Sequence, residues 1–200
     1  MIYVNGDSYS ERTKLGGAWS DYLDQETHNS AIRGSSNDRI IRTTLEDVLT
    51  IKPKKVIIGF SFFTRDEVWW DGKLVTLDSL KDNNTAWNEM KDKIVDMNIN
   101  HQVIHNYTKI YMLAQTLKNL KIDYLFFSAA NNEDFRKLDW NYLRSLNIYN
   151  EITTDPNIID LHSFNIPKWG GENGCDLTET GHFANLDGHK KFGQYIKELL

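Results

Sequence analysis

A serine stands directly after the first apolar run of the chain, in the stretch Gly6-Asp7-Ser8. The run from Ile2 to Val4 is long enough for a short buried strand, and it stops at Asn5. Gly, Asn, Asp and Ser are the usual residues of turns, so an ordinary turn is one interpretation. The other is a nucleophile, held where the carboxyl end of a central strand opens into a crevice.

A nucleophilic serine needs a general base, a group that orients the base, and donors for the oxyanion. His182 lies in a polar, glycine-containing segment near the end of the chain, and Glu179 and Asp176 precede it. Either carboxylate could hold the Nδ1 proton and fix the tautomer, so both are candidates. His189 is a competing base, but its place at a helix start beside Gly188 favours capping or packing.

The sequence predicts neither a metal site nor a cofactor. His101 and His105 are spaced i, i+4 on a predicted helix and could ligate a metal, but no third ligand is recognisable and H-E-x-x-H is absent. The chain also lacks a G-x-G-x-x-G fingerprint and a P-loop pattern.

The composition is that of a soluble globular protein. The chain has 200 residues, of which 40% are apolar and 26% charged, and a formal net charge of -5 without a basic run. We therefore expect no nucleic-acid or membrane partner. Cys175 is the only cysteine, so an internal disulfide is excluded. The chain as given has no export signal or membrane-spanning run, which predicts a cytoplasmic or virion-associated protein; its oligomeric state is not predicted.

Strand-like and helix-like segments alternate, which predicts an α/β fold with a mostly parallel sheet. The predicted strands are the first run, a weak one at 28–32, the V-I-I-G-F strand within 54–60, one at 122–127 and a weaker fifth at 157–161. The predicted helices lie near 19–23, after an N-cap at Asn37 with Ile41, Leu45, Val48 and Leu49 inside, across 103–117, and from about 187 onward.

Residues 61–86 form an unusually long connection, and connections of that length are often functional. Within it, V-W-W-D-G-K-L-V has a D-G turn flanked by apolar residues, which predicts a hairpin. Trp69 and Trp70 there either line a substrate cleft or cover the core.

The ordered motifs resemble the SGNH (GDSL-type) hydrolase superfamily. Gly6-Asp7-Ser8 matches the nucleophile block, Gly34 in N-S-A-I-R-G-S-S-N matches the second-block glycine, and I-I-G-F-S occupies the third block. The segment around His182 resembles the family's D-x-x-H block. The resemblance implies a three-layer, flavodoxin-like α/β/α fold, formed by one domain over residues 1–200 with the insertion at about 61–86.

The resemblance also implies that the Gly34 N–H serves the oxyanion hole. The third block has Ser61 where the family has Asn, and a hydroxyl can donate one hydrogen bond, so we expect Ser61 to be the side-chain donor, with Asn37 or Thr64 as alternatives. Glu179 stands where the family has Asp, which leaves Asp176 as its rival.

These residues predict a serine esterase in which His182 activates Ser8. The expected substrate is a small-molecule or glycan carboxylic ester, with an O-acetyl group on a carbohydrate preferred. The alternative is a non-catalytic glycan-binding module on a degenerate site, favoured by the missing third-block Asn. A nucleotide- or phosphate-binding flavodoxin-like domain ranks last, and the sequence does not separate a hydrolase from an acyltransferase.

Overall fold

A computed structural model describes residues 1–14, 16–65, 67–70, 72–76, 99–132 and 138–200 of the chain. Its strands are β1 (Ile2–Gly6), β2 (Thr27–Asn29), β3 (Lys55–Phe60), β4 (Glu67–Trp70), β5 (Lys73–Thr76) and β6 (Asp123–Ser128). Among the described strands, four form a parallel sheet in the order β2-β1-β3-β6, while β4 and β5 form a separate antiparallel pair. The prediction of a mostly parallel central sheet is confirmed.

The described helices are α1 (Asn37–Ile51), α2 (Ile99–Asn119), α3 (Trp140–Ser145), α4 (Asn147–Thr153), α5 (Ile166–Glu172) and α6 (Leu186–Glu198), and a 3-10 helix covers Trp19–Tyr22. One face of the sheet packs against α1 and α2, and the other against the 3-10 helix, α5 and α6. The result is the predicted three-layer α/β/α arrangement. None of these described helices has the length and apolarity to cross a bilayer.

Side chains of the central strands alternate between two hydrophobic clusters, because successive residues of a strand point to opposite faces. Val56 and Ile58 of β3 pack in the cluster that contains Leu117 of α2, whereas Ile57 packs in the cluster that contains Phe192 of α6. Burial on both faces explains why β1, β3 and β6 contain continuous apolar runs in the sequence.

The N-terminus of α1 differs from the prediction by one residue. Ser36 is the N-cap, and its Oγ accepts the N–H of Arg39 at 3.1 Å. Asn37 is the first helical residue, with a buried side chain that is free to serve another segment. Leu49 was predicted on the buried face of α1 but is 64% exposed. The reason is that the buried face of the helix includes Ile40 and Val48, one position before Ile41 and Leu49.

The predicted fifth strand at 157–161 is reduced to one parallel bridge between Ile158 and Phe126. A turn precedes it, in which the Ile158 N–H donates to the Asp155 carbonyl at 3.0 Å. A second turn follows, because the Asp160 side chain accepts the N–H of His162 at 2.8 Å. Turns on both sides leave no room for a longer ladder.

The predicted hairpin within 61–86 is confirmed, with Trp69 opposite Leu74 and Gly72 at a φ of +73°. Glu67 of β4 pairs with Arg42 of α1 at 3.3 Å, which ties the hairpin to the helix. Trp69 is 69% exposed, whereas the side chain of Trp70 and residues 77–86 lie outside the described part of the chain.

Candidate active site

Ser8 lies in a tight turn at the carboxyl end of β1. The Asp7 carbonyl accepts the N–H groups of Ser10 and Glu11 at 3.0 and 2.9 Å, so the chain enters one helical turn immediately after the strand. Close approach requires Gly6 before this turn, because a Cβ there would lie 2.7 Å from the Ser10 Oγ. The turn leaves Ser8 only partly buried, at the edge where the parallel strands end.

The Ser8 hydroxyl contacts the imidazole of His182. Ser8 Oγ lies 2.8 Å from His182 Nε2, although 174 residues separate them in the sequence. Burial lowers the pKa of His182, while the charge of Asp7 opposes that shift and the charge of Arg33 adds to it. The imidazole is therefore neutral at pH 7, and its Nε2 can accept the serine proton.

The ring of Tyr9 packs flat against the imidazole of His182. Its ring stacks on that of His182 with centroids 4.2 Å apart and planes 3° from parallel. The Tyr9 hydroxyl donates to the Thr180 carbonyl at 2.9 Å, and burial raises the pKa of Tyr9 to about 12. The residue next to Ser8 thus contacts both the imidazole of His182 and the loop that carries it.

The loop that carries His182 is closed by its own backbone. Thr178 and His182 are joined by two contacts: the Thr178 N–H donates to the His182 carbonyl at 2.8 Å, and the His182 N–H donates to Thr178 Oγ1 at 3.1 Å. A bridge between Leu177 and Phe183 extends the closure. His182 Nδ1 lies 3.0 Å from Thr180 Oγ1, inside the same loop.

A buried network lies beneath Ser8. The Ser61 hydroxyl donates to Asp7 Oδ2 at 2.7 Å, and Arg65 approaches both residues, at 2.9 Å from Ser61 Oγ and 3.7 Å from Asp7 Oδ2. Burial raises the pKa of Asp7, opposed in order by the bonds from Ser61 and the Tyr9 N–H and by the charge of Arg65. This network anchors the end of β1 to the end of β3.

Ser61 is also held through its backbone. Asn37 Oδ1 accepts the Ser61 N–H at 2.8 Å, and Asn37 Nδ2 donates to the Ser61 carbonyl at 3.3 Å and to Asn106 Oδ1 at 2.9 Å. Asn37 therefore links α1, the end of β3 and α2.

A cleft of about 500 Å³ opens beside the Ser8–His182 pair. Tyr9 and Thr180, which contact His182, form part of its wall. Its described lining combines aromatic rings such as Phe62 with the amides of Asn131 and Asn132. The volume is within the usual range for small-ligand sites, about 300–1,000 Å³.

No protein-family model matches the sequence, and comparison with curated proteins finds no match. Solved structures do match. The acetyl xylan esterase AlAXEase is 14% identical with a TM-score of 0.58, covering 100% of both chains. A catalytic variant of Axe2, an acetylxylan esterase from Geobacillus stearothermophilus, is 15% identical with a TM-score of 0.59, covering 99% of this chain and 93% of its own. A putative lipolytic protein of the G-D-S-L family from Desulfitobacterium hafniense is 16% identical with a TM-score of 0.50, covering 100% of this chain and 98% of its own.

The chain has the SGNH (GDSL-type) hydrolase fold. At 14–16% identity it is a divergent example of that fold, as the sequence predicted. The SGNH fold places the carboxyl ends of β1, β3 and β6 at one edge, where Ser8 and His182 meet.

Gly34, the candidate backbone donor, lies in the turn that follows β2. The Ile32 N–H donates to the Gly6 carbonyl at 3.3 Å and the Ser35 N–H to the Ile32 carbonyl at 3.2 Å, which brings this turn beside the end of β1. Gly34 has a φ of +74°, in the left-handed region that glycine adopts without strain.

Three other predicted site residues make contacts that the sequence did not predict. The Ser61 hydroxyl points to Asp7 as a donor, so its proton is already used and Ser61 acts as an anchor in this structure. Asp176 Oδ2 accepts from Asn185, the N-cap of α6, at 2.9 Å. Glu179 is exposed at the rim of the cleft, and the group beside His182 Nδ1 is Thr180.

The competing base and the metal candidates also have other surroundings. His189 is 2% exposed and packs its ring against the edge of Phe183, as the preference for packing predicted. The rings of His101 and His105 lie 5.8 Å apart on α2 with their planes tilted by 37°, and among the described residues no three His, Cys, Asp or Glu side chains are placed to hold a metal ion.

Sequence reasoning missed Tyr9 and Thr180 as contacts of His182. Tyr9 follows Ser8 directly and Thr180 precedes His182 by two residues, so both were visible as neighbours of candidates. Neither has a spacing rule that points to stacking or to an Nδ1 contact.

Proposed function

We propose that this protein is a serine hydrolase of carboxylic esters, with Ser8 as the nucleophile and His182 as the general base. The observation that carries the proposal is the 2.8 Å contact between Ser8 Oγ and His182 Nε2. A neutral imidazole within hydrogen-bond reach of a serine hydroxyl is the arrangement that nucleophilic catalysis needs. The lowered pKa of His182 supports the base in its accepting form at neutral pH.

In the proposed reaction, Ser8 Oγ attacks the acyl carbon while His182 Nε2 takes the hydroxyl proton. The N–H groups of Ser8 and Gly34 bind the oxyanion of the tetrahedral intermediate. The alcohol then leaves with the proton from His182, which gives an acyl-enzyme on Ser8. Water, deprotonated by His182, attacks the acyl carbon. The bond to Ser8 Oγ then breaks, Ser8 takes the proton back from His182, and the acid is released.

We infer that the substrate is a small acyl ester, with an O-acetyl group on a carbohydrate preferred. The cleft beside Ser8 and His182 is lined by aromatic rings such as Phe62, whose faces can stack on sugar rings. It is also lined by the amides of Asn131 and Asn132, which can bind hydroxyl groups. Two of the structural neighbours are acetylxylan esterases, which supports the same substrate class.

The first experiment is covalent labelling with a fluorophosphonate probe, read by peptide mass spectrometry. We expect modification at Ser8 in the wild type and a strong reduction in His182→Ala, because the variant lacks the base. Hydrolysis of p-nitrophenyl acetate, butyrate and octanoate, followed by acetylated xylo-oligosaccharides, then ranks acyl length and alcohol. A folded wild type that neither labels nor hydrolyses any of these esters contradicts the proposal.

A non-catalytic glycan-binding module is the second candidate. It is favoured by a hydroxyl at His182 Nδ1, where a carboxylate would be expected of an active hydrolase, and by the Ser61 hydroxyl bonded to Asp7. This candidate predicts binding of xylo-oligosaccharides by calorimetry in both wild type and Ser8→Ala, without labelling of Ser8. Turnover that is lost in Ser8→Ala excludes it.

A further inference from the structure

The group beside Nδ1 of His182, the ring nitrogen that does not contact Ser8, is a threonine hydroxyl. His182 Nδ1 lies 3.0 Å from Thr180 Oγ1. The two carboxylates close to His182 in the sequence have other surroundings, since Asp176 accepts from Asn185 and Glu179 is exposed at the cleft rim. The carboxylate of Asp7 is buried and accepts the Ser61 hydroxyl.

The hydrogen bonds of the loop have a consistent direction. Nε2 must accept the Ser8 proton, so the neutral ring carries its own proton on Nδ1 and donates it to Thr180 Oγ1. Thr180 Oγ1 lies 3.0 Å from Thr178 Oγ1 and can donate its proton there. Thr178 Oγ1 also accepts the His182 N–H at 3.1 Å, which returns the chain of bonds to the backbone of the base.

We propose that Thr180 is the positioning residue of His182, in the place where a triad carboxylate would stand. This proposal rests on the proposed function. A hydroxyl acceptor fixes the tautomer and the ring angle as a carboxylate does. It carries no formal charge, so it stabilises the imidazolium of the transition state less than a carboxylate would.

The backbone around Thr180 is held independently of its hydroxyl. The Thr180 carbonyl accepts the Tyr9 hydroxyl, and the Thr178–His182 closure uses backbone groups and the Thr178 hydroxyl. Replacement of the Thr180 side chain alone therefore leaves the loop conformation supported. The charged or titratable groups that face His182 from neighbouring segments are Asp7 and Tyr9 after β1, Arg33 after β2, and His189 of α6.

The test compares Thr180→Val with Thr180→Ser, and Thr116→Val serves as the matched control. Thr116 is half-buried on α2, away from His182, and its hydroxyl donates to the Met112 carbonyl of the same helix at 2.9 Å. We expect Thr180→Val to lower kcat for p-nitrophenyl acetate by about 10- to 100-fold with little change in KM, the range for losing a hydrogen bond to a group that becomes charged. Thr180→Ser should retain most of the rate, and Thr116→Val all of it. Wild-type kcat in a folded Thr180→Val variant overturns the proposal.

Glu179→Gln decides whether the rim carboxylate orients the base instead. We expect the acid limb of its kcat/KM pH profile to keep the wild-type midpoint, whereas Thr180→Asp should move that limb to higher pH because a carboxylate favours the imidazolium. A Glu179→Gln loss equal to that of Thr180→Val assigns the role to Glu179 and overturns the proposal.

A measurement without turnover separates this inference from the proposed function. Nitrogen-15 NMR of histidine-labelled protein reports which ring nitrogen of His182 carries the proton. We expect the Nδ1–H tautomer in the wild type and in Thr180→Ser, and a shift toward Nε2–H in Thr180→Val. Nε2–H in the wild type overturns the positioning role even if the protein hydrolyses esters. Conversely, the expected tautomers in a protein without turnover support the positioning role and reject the proposed function alone.

Discussion

The Ser61→Ala variant removes the hydroxyl that donates a hydrogen bond to Asp7 at the buried end of β1. Ser61 Oγ donates to Asp7 Oδ2 at 2.7 Å, and both residues are 0% exposed. Removing one partner of a buried hydrogen bond costs about 2 kcal/mol, because the other partner is left unsatisfied away from water. For a chain of this size, each kcal/mol lowers Tm by about 2–4 °C, so we expect a loss of about 4–8 °C.

The rate should respond much less than the stability. If Ser61 donated to the oxyanion, its removal would lower kcat by about 10²- to 10³-fold. The structure instead gives the Ser61 proton to Asp7, and its backbone stays held by Asn37 in the variant. We therefore expect kcat to fall by less than about tenfold, through small displacements of the Ser8 turn.

Differential scanning calorimetry and p-nitrophenyl acetate hydrolysis at 25 °C measure the two effects on the same samples. Ser145→Ala is the matched control, because the exposed Ser145 hydroxyl bonds only the Tyr142 carbonyl within α3. The control should change neither Tm nor kcat. A loss of more than about 100-fold in kcat at unchanged Tm would refute this reasoning and restore Ser61 as an oxyanion donor.

Two further predictions concern the packing behind the site. Gly59→Ala should lower the free energy of unfolding by about 1–3 kcal/mol in urea denaturation, because its Cβ would lie 2.9 Å from the Phe127 ring; equal midpoints would contradict the tight packing. His189 is buried without a described hydrogen-bond partner, and burial lowers its pKa. Below about pH 6.5 the unfolded chain therefore binds more protons at this residue than the folded chain does, and the free energy of unfolding decreases as the pH falls. His189→Phe should flatten the decline between pH 7 and pH 5 by up to about 1.4 kcal/mol per pH unit, and an unchanged slope would assign it to other groups.

The sheet and the meeting of Ser8 with His182 were predictable because they follow from strong local signals. Long apolar runs identify a sheet buried on both faces, and the carboxyl ends of its parallel strands share one edge. A turn serine after β1 and a loop histidine before α6 could therefore be expected to converge, and they lie 2.8 Å apart.

The sequence did not predict the contacts of polar side chains that have more than one possible hydrogen-bond partner. Ser61 has the chemistry of an oxyanion donor, but its hydroxyl donates its hydrogen bond to the buried carboxylate of Asp7 instead. Ser36 caps α1, while the side chain of Asn37 binds the backbone at the end of β3. Spacing alone cannot rank such rival acceptors, since the outcome depends on which polar groups are buried together.

The two halves of the site are supported in different ways, and this bears on how its chemistry can vary. Asp7 and Ser61 link the ends of β1 and β3 through a buried hydrogen bond. His182 is supported by its own short loop and by Tyr9, so the group at Nδ1 can change without altering the core. A carboxylate could be exchanged for Thr180 while the loop backbone kept the same bonds. In the proposed reaction, the loop and Tyr9 would therefore orient His182 without a carboxylate at Nδ1.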